Sequence, residues 1–122
     1  MLGEIIAKTT LIASENDKNS SLIYNIVRYI NDNYANKITL ELLASEFNYS
    51  VSHISHTIGT YLSCNLNTYL NKVRLTNFVE LTKNNPEKII TNALEVGFDS
   101  LQTFYRNFKK FYGISPYKYF KK

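Results

Sequence analysis

The 122-residue chain contains a single cysteine, two prolines, four glycines, two histidines and no tryptophan. One cysteine, Cys64, cannot close an internal disulfide, so nothing here calls for an oxidising compartment. There is no C-x-x-C, no H-E-x-x-H and no facing pair of carboxylates, which removes the common metal-binding and hydrolytic signatures. His53 and His56 stand about one helical turn apart, but only Cys64 is near enough in sequence to add a third ligand. No third group is available to orient a Cys–His nucleophile either. The expectation is no metal, no cofactor, no catalytic residue and no enzyme activity. Apolar runs last only a few residues, as in Ile5-Ile6-Ala7, too short to span a bilayer. The opening MLGEIIAKTT lacks the basic segment and long apolar core of a secretory signal. A cytoplasmic protein without a membrane partner is expected.

Hydrophobic residues make up 44% and charged residues 20%, an ordinary globular composition. Net charge is +4, unevenly spread. Residues 1–62 hold four basic against six acidic residues, a net −2, and the remainder holds ten against four, a net +6. Arg106, Lys109, Lys110, Lys118, Lys121 and Lys122 crowd the end. A basic half suggests a polyanionic partner, with a merely solubilising surface as the alternative.

Helical periodicity dominates. Leu22, Ile23, Ile26, Val27 and Ile30 recur at helical spacing, and Thr39 can cap a short helix, LELLASEF. Ser50 caps a helix over 51–62, and Asn65 opens a long amphipathic helix through Lys83. Helices over 86–95, 100–112 and 116–120 complete the set, with Pro86 at a first turn, Gly97 as a left-handed C-cap and Ser100 as an N-cap. Residues 1–18 read as an N-terminal helix and linker, the possible tail of an upstream domain.

An internal repeat sets the architecture. A shift of 49 pairs Leu40 with Ile89, Ala44 with Ala93 and Tyr49 with Phe98. A shift of 50 then pairs Ser50 with Ser100, Ile54 with Phe104, Ile58 with Phe108 and Tyr69 with Tyr119. Each half reads as short helix, tight turn and capped helix, a helix-turn-helix. The expected fold is all-α: units at 19–64 and 84–122 joined by a central helix at 65–83.

On a helical wheel the second helix of the first unit turns Val51, Ile54, Ile58, Tyr61 and Leu62 inward. Ser52, Ser55, His56 and Gly59 face out, with His53 on the flank. In the second unit Leu101, Phe104, Phe108, Phe111 and Tyr112 are the inward arc, and Gln102, Tyr105, Arg106 and Lys109 face out. Gln and Arg can each make paired hydrogen bonds to base edges in a major groove. Lys109 and Lys110 suit phosphate. The amides at the helix starts near Thr39 and Pro86 could also meet phosphates.

The stretch A93-LEVGFDSLQTFYRNFKKFYGISPYKYF-120 resembles the DNA-binding domain of the AraC/XylS family of transcription regulators. It is similar to that family's A-x-x-V-G-F, aromatic-x-R-x-F-K-K and G-x-S-P-x-x-Y pattern, and Leu43-Ala44, Phe47, Ser50, Ile54, Tyr69-Leu70 and Arg74-Leu75 extend the likeness to about residues 20–120. The resemblance implies sequence-specific binding of double-stranded DNA, with the helices at 51–62 and 100–112 entering successive major grooves. It implies base reading by Ser52, Ser55, His56, Leu101, Gln102 and Arg106. Phosphate contacts fall to Thr39, His53, Tyr105, Lys109 and Lys110. It further implies RNA polymerase as a partner and a monomeric DNA-binding part.

Two departures stand out. The family commonly has Arg-x-Phe-Lys where this chain has His56-Thr57-Ile58-Gly59, and a glycine inside a helix costs about 1 kcal/mol relative to alanine. Asn92 also stands where an apolar residue usually precedes Ala93, so either Ile90 compensates or this helix packs loosely. Arg74, inside the central helix, is expected to be structural. Tyr69 and Tyr119 are expected as core with their hydroxyls at the edge. The competing reading is a helical protein-interaction module whose first unit has lost DNA affinity, motivated by the −2 charge of residues 1–62.

Overall fold

A computed structural model describes residues 17–121. The N-terminal segment expected over 1–18 lies outside these residues apart from its last two. Among the described residues there are seven helices and no strand: α1 (Asp17–Asn33), α2 (Leu40–Phe47), α3 (Val51–Leu62), α4 (Leu66–Asn84), α5 (Ile89–Glu95), α6 (Leu101–Tyr112) and α7 (Pro116–Phe120). None is long and apolar enough to cross a membrane. The chain is all-α and divides into two compact units. One takes the described residues up to 33 and Ile38–Tyr69; the other takes Tyr34–Lys37 and the chain from Leu70 onward.

Side-chain caps fix most helix starts, each satisfying an amide that the helix itself leaves free. Thr39 accepts from the Leu42 amide at 3.0 Å, and Ser50 from that of His53 at 3.0 Å. Asn65 accepts from Thr68 at 2.8 Å, Ser100 from Thr103 at 3.1 Å and Ser115 from Lys118 at 3.3 Å. Among the helices whose starts are described, α5 is the exception. It begins at Ile89 rather than at Pro86, because residues 85–88 form a turn in which the Lys88 amide donates to the Asn85 carbonyl at 3.0 Å, and Lys88 makes no side-chain cap.

The first unit buries aliphatic side chains, with Ile23, Ile26, Ile30, Leu43, Ile54 and Ile58 almost wholly hidden. One expectation for α3 fails at its edge: Val51, in the first turn, is 38% exposed. Thr57, which the wheel assigns to neither face, is buried. Thr57 tolerates this because its hydroxyl donates to the His53 carbonyl at 2.8 Å within the helix. Tyr69 is buried as expected, but its hydroxyl is not at the edge: it lies inside with no hydrogen-bond partner among the described residues. Burial raises its pKa, and the nearby Asn31 side chain draws it partly back.

The second unit buries aromatics. Phe78, Phe104 and Phe108 are fully hidden, with Phe104 meeting Phe78 at 4.7 Å and Phe98 at 5.4 Å between ring centroids, both edge-on. Such tilted pairs add attraction beyond the area they bury. Phe111, expected inside, is 36% exposed at the end of its arc, and Tyr119 is exposed too, although its ring edge meets Phe108. Asn92 resolves the alternatives at α5. It is buried and donates to the hidden Thr82 hydroxyl at 3.0 Å, a satisfied polar pair, and Ile90 stays exposed and compensates nothing.

Gly97 ends the turn between α5 and α6 with φ of +113°. A Cβ there would lie 2.8 Å from the Arg74 Nε, 2.9 Å from the Tyr34 carbonyl oxygen and 3.0 Å from the Ala35 Cα. Conformation and space therefore both demand glycine. Arg74 is structural: its Nε donates to the Tyr34 carbonyl at 2.7 Å and its guanidinium to that of Asn36 at 2.9 Å. Burial lowers its pKa, and Asp99 offsets part of this.

Candidate nucleic-acid interface

Helix α6 holds the charged face. Phe104 and Phe108 anchor one side in the core, which leaves Gln102, Arg106, Lys109 and Lys110 exposed on the others. Among the described residues the only ion pair joins Lys83 to Glu80 at 3.1 Å, so none of these cations is tied to a carboxylate there. Unpaired guanidinium and ammonium groups on one helix are able to bind phosphate or base edges without first breaking an internal contact. Lys109 and Lys110 lie in the last helical turn, and Lys118 in the last turn of α7.

Leu101 and Tyr105 are half-buried members of this face, both packed against the aromatic core. The Tyr105 hydroxyl donates to that of Tyr117 at 3.4 Å. This bond first, then burial and the proximity of Tyr117, pushes the Tyr105 pKa up to about 12. Tyr105 therefore stays a neutral hydroxyl under physiological conditions. Tyr117 shares this exposed edge, and no motif or periodicity in the sequence singles it out. It sits in the short helix α7 rather than in a helix with a legible outward arc.

Helix α3 presents a different surface. Ser52, Ser55, His56 and Gly59 are exposed together, as the wheel predicts. The His56 Nε2 lies 3.5 Å from the Thr60 hydroxyl, at the limit of a hydrogen bond. His53 is engaged within its own unit, with its Nε2 3.2 Å from the Asn19 side-chain oxygen and its ring stacked 4.7 Å from Tyr49. Thr39 spends its hydroxyl on the α2 cap, and exposed Glu41 in the same first turn puts a negative charge beside any anion there. Among the described residues no cluster of three His, Cys, Asp or Glu could hold a metal.

Residues 43–122 match the model of a helix-turn-helix domain family. The multiple antibiotic resistance protein MarA of Escherichia coli is 27% identical over 106 residues, 87% of this chain and 84% of that protein. The transcriptional activator AarP of Providencia stuartii is 29% identical, over 82% of this chain and 74% of that one. Among solved structures, the C-terminal domain of AraT, a response regulator from Geobacillus stearothermophilus, superposes with a TM-score of 0.75 at 29% identity, covering 80% of this chain and 82% of that one. With two repeated helix-turn-helix units and an exposed cationic face on the second, the chain belongs to the AraC/XylS-type helix-turn-helix family of transcription regulators, and its function is sequence-specific binding of DNA.

Proposed function

We propose that α3 and α6 are the two recognition helices, each entering a major groove, in units at 19–64 and 84–122 joined by the helix at 65–83. Ser52, Ser55 and His56 read bases for the first unit, and Leu101, Gln102 and Arg106 for the second. Lys109, Lys110, Thr39, His53 and Tyr105 meet the phosphates. The observation that carries this reading is the exposed face of α6, where Gln102, Arg106 and Lys109 project with no carboxylate partner among the described residues. The chain acts as a monomer in the cytoplasm, without catalysis or cofactor, and its regulatory output passes through RNA polymerase. The test is affinity for a duplex selected from a random library, measured against salt. The affinity should fall steeply, by close to one power of salt for each phosphate neutralised. Binding that ignores salt and sequence would overturn the reading.

A further inference from the structure

Gly59 lies in the third turn of α3, on the exposed face that carries Ser52, Ser55 and His56. Glycines in folded proteins have two ordinary structural reasons, a positive φ or a neighbour that leaves no room for a Cβ. Gly97 has both. Gly59 has neither: its backbone is helical, and among the described residues nothing outside its own helical surroundings lies within 4 Å of where its Cβ would stand. A Cβ would meet no neighbour here, and the helix would gain from one, since glycine is the least favourable residue inside a helix apart from proline. The repeat sharpens the point. A shift of 50 sets Gly59 against Lys109, an exposed cation on the interface of the second unit.

We infer that Gly59 is a specificity-determining residue of the DNA interface, its missing side chain allowing the backbone of α3 to come closer to the bases than any other residue type would permit. Where the second unit reaches outward with Lys109, the first moves its helix axis in. The short side chains of Ser52 and Ser55 on the same face make contacts only at such short range, whereas Arg or Lys would hold the helix off. This inference rests on the proposed placement of α3 in a major groove.

The experiment compares the full chain with Gly59→Ala and Gly59→Leu, measuring thermal unfolding and affinity for a selected duplex. A second duplex, scrambled only in the half read by the first unit, serves as the control. Both variants should melt a few degrees above the parent, because helix propensity improves. Affinity for the selected site should nevertheless drop, roughly tenfold for alanine, about the size of one mismatched base pair, and further for leucine. Binding to the scrambled duplex should change little. Variants that melt higher and still bind the selected site as the parent does would overturn the inference. Variants that lose affinity equally for both duplexes would overturn it too, since the loss would then not concern reading. If the parent itself failed to prefer the selected duplex, the DNA reading as a whole would fall, an outcome distinct from both.

Discussion

The two helix-turn-helix units are versions of one design in which nearly every equivalent position has been settled differently. Where the chain must take a positive φ, the first unit uses Asn48 at +61° and Ser63 at +58°, and the second uses Gly97 at +113° and Gly113 at +83°. The first opens with a Thr39 cap; the second has Lys88 there and no side-chain cap. The first core is aliphatic and the second aromatic. On the outward faces, His56 and Gly59 stand opposite Arg106 and Lys109 in the repeat. The fold thus constrains burial and turn geometry, and leaves the chemistry of the exposed face free to diverge. Under the proposed reading, the second unit would attract a polyanion and the first would fit a surface already brought near.

The largest expected effect tests the cores. Phe104, at the meeting point of Phe78, Phe98 and Phe108, should cost about 3–5 kcal/mol when changed to alanine, measured by urea unfolding. Its repeat partner Ile54 is equally hidden but smaller, and Ile54→Ala should cost about 2–5 kcal/mol. A Phe104→Ala loss below about 1 kcal/mol would mean that the aromatic cluster is not what holds the second unit. Next comes binding. Arg106→Ala should lose about 1–3 kcal/mol at the selected site and relax specificity at one base pair. His56→Ala should lose less, since an imidazole lacks the paired donors that a guanidinium presents to a base edge. An equal or larger loss at His56 would invert the division of labour between the units. Lys109→Ala should weaken all sequences alike and reduce the slope of log affinity against log salt by about one. An unchanged slope would place Lys109 off the duplex.

Much of this architecture is legible in the repeat. Its shift of 50 places Ser50 with Ser100 and Asn65 with Ser115, and all four cap a helix. The exposure of Ser52, Ser55, His56 and Gly59 on α3 and of Gln102, Arg106 and Lys109 on α6 follows from periodicity alone, whereas Tyr105, expected to face out, is half-buried against the aromatic core. What the sequence hides depends on partners that only folding brings together. Thr57 and Asn92 are polar and buried because each donates a hydrogen bond that composition does not announce, one to the carbonyl four residues back and one to the Thr82 hydroxyl. Arg74 grips backbone carbonyls of residues 34 and 36, acceptors that every residue type carries and that no motif can mark. Val51 and Phe111 sit at opposite ends of α3 and α6, where an apolar arc outruns the core that it should face. The Tyr105–Tyr117 pair joins two different helices and needs the fold to bring it together.

The smallest effect lies at the one pair of turns where the units can be exchanged residue for residue. Ser63 and Gly113 are C-caps at equivalent positions, both left-handed, and their amides bond back to Gly59 and Lys109 in the same way. A side chain in that conformation costs roughly 1–2 kcal/mol, and Ser63→Gly removes the cost. The same change loosens the unfolded chain, which takes back about 0.4–1 kcal/mol. The net gain should be about 0–1.6 kcal/mol, and the reverse change, Gly113→Ser, should lose a similar amount because, among the described residues, no neighbour lies within 4 Å of a Cβ there to add a clash. Urea unfolding of the two variants and the double swap checks this. The swap should return close to the parent stability, since each change acts through its own turn. If Ser63→Gly destabilised instead, the serine at the end of α3 would be making an interaction that its repeat partner lacks, and the two turns would not be equivalent after all.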